Sequence, residues 1–343
     1  MTKIDQIETV VVDVPTIRGH VLSMATMRSQ TAVLVRIRFS DGSTGIGEGT
    51  TIGGLTYCVE SPESIQSAIA TYIAPALKGK GADDVNTSIQ LMDKLVRGNR
   101  IAKAAVEIAL WDGLGKRLGV PVSQLFGGQV YARMPVAWTL ASGSSDTDIA
   151  EALEMIETRR HNIFKLKIGK RSVRDDVAHV AAIKRAVGDA GSVRVDINQA
   201  WSLHDARWGL KGLQDAGCEL VEQPVQGRYV EAQRELTAKY EIAVMADEVL
   251  NGPEDALEIA ANAAADVFAV KVAQSGGIKR ASEVVAIGQA AGLGLYAGTM
   301  LETGLGTAAA LQLFCTVEKL SWGTELFGPL LLTDDILAEP INY

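Results

Sequence analysis

The amino-acid sequence predicts a two-part α/β protein, in which an α+β domain precedes a (β/α)8-type barrel. Three observations support this architecture. The N-terminal segment is rich in β-branched residues and is followed by a helical stretch. From Pro135 onward, short apolar runs alternate with longer amphipathic stretches. Polar residues end several of these runs at intervals of 26, 25 and 24 residues, at Asp196, Glu222, Asp247 and Lys271. Such intervals suit one strand, one helix and two loops.

The composition is typical of a globular protein and excludes several function classes. The 343 residues are 47% apolar and 22% charged, and the net charge of −8 disfavours binding to nucleic acid. No apolar stretch is long enough for a membrane span, and the first residues lack a signal-peptide core. The three cysteines are widely spaced, as in a reduced cytoplasmic protein. With only four histidines, any metal is expected on oxygen ligands.

The first domain is expected to span residues 1–128 and to cap the barrel. Runs 8–14 and 31–39 are predicted strands, and Asp41-Gly42 is a hairpin-turn signal. Ser61-Pro62 is a helix start, and apolar residues in 102–110 recur at helical spacing. Gly127-Gly128 is expected to close the helical block.

The second domain is expected to span residues 129–326, with residues 327–343 returning to the first. Its predicted strands are the eight apolar runs 135–140, 163–168, 193–197, 219–221, 242–246, 267–270, 294–297 and 320–325. Eight strand–helix units make a barrel of about 200–250 residues. The alternative is an open, doubly wound sheet, but no phosphate-binding fingerprint follows a first strand. The sequence from Gly292-Leu-Gly294 onward fits the residue pattern of that fingerprint, but it precedes a predicted strand, whereas a phosphate-binding loop follows one.

Two lysines lie within the second predicted barrel strand. Lys165 and Lys167 are two residues apart, so both point to the same side of the strand. Two such close ammonium groups are expected to lower each other's pKa, which would make one of them a usable acid or base. The alternative is an edge strand that carries two solvated lysines.

Carboxylates end the next three strands. Asp196 is followed two residues later by Asn198, Glu222 precedes Gln-Pro, and Asp247 precedes Glu248. Since the carboxyl ends of parallel strands meet at one face, Asp196, Glu222 and Asp247 would repel one another without a cation. Oxygen ligands favour Mg²⁺ or Mn²⁺. The alternative is a set of helix caps or loop salt bridges.

Lys271 ends the sixth strand and is expected to face Lys167 across the mouth of the barrel. Two lysines that flank a metal suit proton transfer on either face of a carbanion next to a carboxylate. Glu325 in the last run adds one more acid at the mouth, or it is an ordinary loop residue.

The order of these motifs resembles the enolase superfamily, and within it the muconate lactonizing enzyme subgroup. The resemblance spans nearly the whole chain and includes the capping domain. Its motifs are Gly45-x-Gly-Glu48, Gly115-Lys-Arg-Leu-Gly119, Lys165-x-Lys167, Asp196-x-Asn198, Glu222-Gln-Pro, Asp247-Glu248, Lys271 and Gly323-Thr-Glu325. It implies a modified, enolase-like barrel and an enzyme with Mn²⁺ or Mg²⁺ on Asp196, Glu222 and Asp247.

The resemblance also implies a reaction and a role for each lysine. The expected reaction converts cis,cis-muconate to muconolactone through a metal-stabilised enolate, in the degradation of aromatic compounds such as catechol. Lys165 would stabilise the enolate, Lys167 would transfer the proton, and Lys271 would act on the opposite face. Asn198 and Glu248 would support the metal ligands. Glu325 would orient the substrate or relay to a lysine.

Substrate preference is expected to depend on the capping loop. Ile52 and Tyr57 match positions that border the substrate in the muconate enzymes, which favours muconate. Chloromuconate is the first alternative, and an o-succinylbenzoate synthase or acylamino acid racemase is the second. The resemblance implies a small dicarboxylate substrate and a homo-oligomer, since similar enzymes often form octamers. It also implies that relatives continue beyond the position of Tyr343 to complete the capping domain.

Overall fold

A computed structural model describes residues 1–343 and contains a three-stranded sheet and a seven-stranded sheet. The smaller sheet is antiparallel and consists of β1 (Ile4–Val21), β2 (Thr26–Phe39) and β3 (Thr44–Thr50). The predicted turn at Asp41-Gly42 is confirmed, since Gly42 has a φ of +84° and its N–H donates to the Phe39 carbonyl. β1 and β2 extend well beyond the predicted runs, so one end of this hairpin reaches the barrel.

The helices of the N-terminal part cover one face of this sheet. They are α1 (Pro62–Ala68), continued by a π-helical turn (Ile69–Ile73), α2 (Ala74–Leu77), α3 (Val85–Leu95), α4 (Arg100–Leu118) and α5 (Val122–Leu125). The predicted helix start is confirmed by a capping box between Ser61 and Ser64. β3 lies so close to α4 that a Cβ on Gly47 would be 2.1 Å from the Ala105 carbonyl oxygen. This contact accounts for a glycine in the Gly-x-Gly-Glu motif.

Seven parallel strands form the larger sheet in chain order. They are β4 (Trp138–Leu140), β5 (Ile163–Lys167), β6 (Ser192–Asp196), β7 (Leu220–Glu222), β8 (Ala243–Ala246), β9 (Val267–Val270) and β10 (Gly294–Ala297). The helices between and after them are α6 (Ser145–Glu157), α7 (Val173–Val187), α8 (Leu203–Asp215), α9 (Val230–Lys239), α10 (Pro253–Ala261), α11 (Val272–Ser275), α12 (Ile278–Ala290), α13 (Gly304–Phe314) and α14 (Gly328–Leu331). Each of the seven strands is followed by a helix, as the barrel prediction requires.

The predicted eighth strand is wrong in extent, because run 320–325 forms no strand. Thr324 alone makes parallel bridges, to Val136 beside β4 and to Ala297 at the end of β10. Gly323 turns the backbone just before, with a φ of +72°, and the Phe327 N–H donates back to the Glu325 carbonyl just after. The chain therefore runs extended for too few residues to form a strand. Thr324 alone bridges the two outer strands of the sheet, β4 and β10, and this junction between them is called the seam of the barrel.

The C-terminal residues contact both parts of the chain. Leu332 bridges Thr16 of β1, and the Thr333 N–H donates to the Pro15 carbonyl. Asp335 accepts from the N–H of Gly304 at the start of α13. No helix of the structure combines the length and apolarity that crossing a membrane requires.

Candidate active site

Three carboxylates converge at the carboxyl ends of neighbouring barrel strands. Asp196 ends β6 and pairs in register with Glu222 at the end of β7, and Asp247 follows β8 directly. All three residues are buried, and one oxygen from each lies within 4.8 Å of the others. Glu222 Oε1 and Asp247 Oδ1 are buried without any hydrogen-bond donor. Buried anionic oxygens without donors suit a hard divalent cation, so this acidic triad could hold a metal ion.

Neighbouring amides orient the acidic triad. Asn198 donates its backbone N–H to Asp196 Oδ1 at 2.8 Å, and its side-chain Nδ2 to Asp196 Oδ2 at 3.0 Å. The same Nδ2 donates to Glu248 Oε1 at 3.1 Å. Burial, together with the neighbouring Asp247 carboxylate, raises the pKa of Glu248 to about 8. The structure therefore brings Asn198 and Glu248 next to the triad, in contact with it or with each other.

The two lysines of β5 point into the barrel, and the solvated-edge alternative is wrong. Lys165 is only 2% exposed, and its Nζ donates to Glu222 Oε2 at 2.9 Å. It also forms an ion pair with Glu325. Lys167 Nζ lies 2.5 Å from Asp196 Oδ2. Each ammonium group thus has its own carboxylate partner.

The expected lowering of the lysine pKa by a like-charged neighbour is also wrong for Lys165. Burial disfavours its charged form, but the carboxylates of Glu222 and Glu325 outweigh burial and raise its pKa well above the usual value. At Asp196, burial is likewise outweighed, and Lys167 and Lys165 lower the pKa of the carboxyl. Burial and the Asp196 charge instead raise the pKa of Glu222 well above its usual value. The lysines are therefore counter-ions to the acids of the site.

Lys271 lies at the other end of the triad from Lys167. Its Nζ donates to Asp247 Oδ2 at 2.7 Å and to the Tyr57 hydroxyl at 2.6 Å. Burial is again outweighed, here by the Asp247 and Glu222 carboxylates, and the pKa of Lys271 is raised. The Tyr57 hydroxyl in turn donates to Asp247 Oδ2 at 2.8 Å. A residue of the N-terminal part of the chain thus contacts the barrel site directly.

Ile52 and Glu325 complete the set of predicted site residues. Ile52, just after β3, is buried in the same apolar cluster against which Tyr57 packs. Glu325 lies at the barrel seam, where it accepts from the Thr299 N–H at 3.3 Å and from the Tyr296 hydroxyl at 3.4 Å. Hydrogen bonds, ion pairs and the acidic triad thus connect all of the predicted site residues except Ile52, for which the structure shows burial in that large apolar cluster.

Sequence reasoning missed two glutamines that hold Asp247. Gln223 accepts from the Asp247 N–H at 3.0 Å and adopts a φ of +34°. Gln274 donates to the Asp247 carbonyl at 2.8 Å, and its Oε1 lies 3.3 Å from the Tyr57 hydroxyl. Gln223 was visible in the Glu222-Gln-Pro motif. No sequence pattern pointed to Gln274. It lies three residues after Lys271, in the short helix α11.

Comparisons with known proteins agree with this geometry. Residues 6–127 match the N-terminal domain of the mandelate racemase / muconate lactonizing enzyme family, and residues 148–343 match the enolase C-terminal domain-like family. The chain belongs to the mandelate racemase / muconate lactonizing enzyme family. The fold and family expected from the motifs are thereby confirmed, and the chain is a member of an enzyme family.

Several members of this family are similar along nearly the whole chain. Muconate cycloisomerase 1-1 of Acinetobacter lwoffii is 55% identical, over 99% of this chain and 89% of that protein. The chloromuconate cycloisomerase of Pseudomonas sp. (strain P51) is 44% identical, over 99% of this chain and 92% of that protein. The crystal structure of the Pseudomonas fluorescens muconate lactonizing enzyme with muconolactone has a TM-score of 0.98 and 52% identity, over 99% of this chain and 91% of that one.

Proposed function

We propose that this chain is a muconate cycloisomerase, which converts cis,cis-muconate to muconolactone during the degradation of aromatic compounds such as catechol. The observation that carries the proposal is the closeness of the relatives. A muconate cycloisomerase is 55% identical, whereas a chloromuconate cycloisomerase is 44% identical over the same share of the chain. The pairing of lysines with an acidic triad suits this reaction, because it places proton donors beside a site for a carboxylate.

The reaction forms one C–O bond and one C–H bond. An oxygen of one substrate carboxylate adds to a carbon of the conjugated system, and the displaced electron pair forms the enolate of the other carboxylate. The Lys167 ammonium then delivers a proton to the α-carbon, and the lysine recovers its proton from solvent. Lys167 suits this role because its side chain is less buried than that of Lys165, at 9% against 2% exposure.

Lys165 stabilises the charge that develops on the enolate. Its ammonium group is fixed between Glu222 and Glu325, so it needs no reorganisation when negative charge appears near it. The raised pKa keeps Lys165 protonated, which fits an electrostatic role and not that of a base. Lys271 lies on the opposite side and supplies positive charge there, or the proton if the addition is anti.

The acidic triad is proposed to hold Mn²⁺ or Mg²⁺. When bound, such a cation supplies Lewis-acid stabilisation of the enolate carboxylate. Asp196, Glu222 and Asp247 would be its ligands, and Asn198 and Glu248 would keep the Asp196 side in place. Ile52 and Tyr57 close the capping loop over the site and exclude water.

The assay follows the loss of the conjugated absorbance of cis,cis-muconate with Mn²⁺ supplied. Lys167→Met is expected to lower kcat by about a hundredfold to ten-thousandfold. Lys170→Met is the matched control, because Lys170 is exposed on the loop after the same strand, and it should retain the wild-type rate. Lactonisation by the Lys167 variant near the control rate would refute the assignment of the proton donor.

The second candidate is a chloromuconate cycloisomerase, favoured by the 44% identity to that enzyme over 99% of the chain. Comparison of kcat/KM for muconate and for chlorinated muconates separates the two activities. A higher value for a chloromuconate would reverse the order of the candidates, and turnover of N-acyl amino acids alone would exclude both.

We also propose a homo-oligomer. Trp208 and Tyr229, at 48% and 50% exposure, leave large apolar side chains on the outside of the barrel. Light scattering coupled to size-exclusion chromatography tests this proposal, and a mass near 36.4 kDa would contradict it.

A further inference from the structure

His20 is a buried histidine whose ring nitrogens have no hydrogen-bond partner. Its side chain is wholly inaccessible to solvent, and both Nδ1 and Nε2 are unpaired. The two other buried histidines of the chain are bonded. His161 Nδ1 lies 2.9 Å from the Val136 carbonyl oxygen, and His179 contacts Ser145 at 2.7 Å and Asp148 at 3.3 Å. His20 is therefore an exception among the buried histidines of this molecule.

The position of His20 relates it to the mouth of the barrel. It lies near the end of β1, and the next residue, Val21, donates its N–H to the Ala141 carbonyl just after β4. Its ring centroid is 6.4 Å from that of Phe327, which follows Glu325 at the seam. The charges that act most on the ring are those of Lys167, Arg18, Lys165 and Asp196.

These contacts put His20 on the opposite side of the site from Tyr57. Tyr57 reaches the site at Asp247 and Lys271, on the β8 and β9 side. His20 instead lies near β4 and the seam, where the charges of Lys167, Lys165 and Asp196 act on its ring. A substrate with one carboxylate at the acidic triad and its carbon chain directed away from Tyr57 would bring its second carboxylate toward His20.

A buried polar group without a partner costs free energy, and such groups persist where a ligand supplies the partner. Burial and the Lys167 charge hold the pKa of His20 well below its ordinary value. A neutral imidazole carries one N–H, and a protonated one carries two. His20 thus offers a hydrogen-bond donor to the site in either protonation state.

We propose that an N–H of His20 binds the substrate carboxylate that lies farther from the acidic triad, and so selects dicarboxylates over monocarboxylates. This inference rests on the proposed function. His20 transfers no proton in it. The hydrogen bond is made to a full negative charge in the substrate, and that charge is lost as the carboxylate becomes the lactone. The interaction therefore contributes to substrate binding more than to the chemical step.

The test compares His20→Phe with His20→Gln, which retains a donor. His20→Phe is expected to raise KM for muconate about tenfold to a hundredfold, with kcat changed much less. His20→Gln should restore most of the lost affinity. The Tm of His20→Phe should equal or exceed that of the wild type, because the two unpaired nitrogens are removed. A structural role would lower the Tm and leave KM unchanged, and that result would overturn the proposal.

A second readout does not depend on turnover. Adipate and hexanoate have the same number of carbons but carry two carboxylates and one, and their binding is measured by calorimetry with Mn²⁺ present. The wild type should prefer adipate, and His20→Phe should lose that preference. Equal loss for both ligands would overturn the proposal. If the wild type does not lactonise muconate but shows the adipate preference, the proposed function fails and the role of His20 stands.

His161→Phe is the matched control. It removes a buried imidazole with a partner, so it is expected to lower the Tm and leave KM for muconate near the wild-type value. A rise of KM in this control equal to that in His20→Phe would show that any buried-histidine change disturbs binding, and would overturn the specific role of His20.

Discussion

Glu48 joins the capping sheet to the barrel, and its replacement should weaken both stability and substrate binding. It is 2% exposed and lies on β3. Its carboxylate accepts from the Thr303 N–H at 2.9 Å, the Thr303 hydroxyl at 2.6 Å, the Gly306 N–H at 2.7 Å and the Thr50 hydroxyl at 2.6 Å. Thr303 and Gly306 lie at the N-terminus of α13, so one buried carboxylate satisfies donors from two parts of the chain.

In Glu48→Gln, one oxygen becomes an NH₂ group that cannot accept a hydrogen bond. Either orientation of the amide leaves one backbone N–H at the start of α13 without an acceptor. Loss of charge-assisted bonds and one unpaired buried donor together cost about 2–4 kcal/mol. The Ile52 and Tyr57 loop follows β3 directly, so the same change should raise KM for muconate.

The assay is chemical unfolding of Glu48→Gln beside Glu8→Gln, together with KM for both variants. Glu8 lies on the same sheet, but its side chain is 34% exposed and pairs with Arg36 at the surface. Its replacement should therefore change stability by less than about 0.5 kcal/mol. If the two variants unfold with free energies within about 0.5 kcal/mol of each other, the buried link between cap and barrel does not have the strength inferred from its bonds.

Three further predictions follow from the packing and the charges. Gly47→Ala should lower the free energy of unfolding by at least about 3 kcal/mol, because its Cβ would lie 2.1 Å from a backbone oxygen. Gly19→Ala is the control and should be tolerated, because the nearest contact of its Cβ would be at 3.6 Å. Comparable unfolding midpoints for the two variants would refute this. Burial raises the pKa of Glu107 to about 7. Its contribution to the free energy of unfolding should therefore decline as pH rises from about 4.5 to 7, by up to ~1.4 kcal/mol per pH unit, and Glu107→Gln should remove that decline. An unchanged slope of the unfolding free energy against pH in the variant would contradict this. Mn²⁺ or Mg²⁺ should raise the Tm of the wild type by relieving repulsion in the acidic triad, and Asp247→Asn should abolish most of that rise; an equal rise in both proteins would place the ion elsewhere.

The barrel was predictable because a polar residue recurs at the ends of successive strands. Six of the eight predicted runs match observed strands to within one residue at either end, and the run 135–140 matches only at its carboxyl end. Parallel strands present their carboxyl ends at one face, so the interval between Asp196, Glu222 and Asp247 predicted a cluster. The eighth strand was not predictable, since a local turn at Gly323 leaves only Thr324 free to pair across the seam.

The electrostatics of the site could not be predicted from sequence spacing. Lys165 and Lys167 are close in sequence, but the groups that decide their charge state lie far along the chain. Glu222 is 57 residues from Lys165, and only the folded barrel shows that it lies 2.9 Å away. The sequence also cannot show that the His20 ring lacks hydrogen-bond partners, because this depends on the groups that surround the ring in the folded protein.

The single-residue seam at Thr324 has a consequence for the order of events during synthesis. The barrel closes, and Glu325 reaches Lys165, only after residues 324 and 325 have left the ribosome. Glu48 likewise waits for Thr303, a partner 255 residues later. Domains usually fold as the nascent chain emerges, from the N-terminus onward. Here the capping sheet is made first but is anchored last, because Glu48 lacks Thr303 and Lys165 lacks Glu325 until those residues emerge. Lys167 and Lys271 can meet their carboxylate partners, Asp196 and Asp247, earlier.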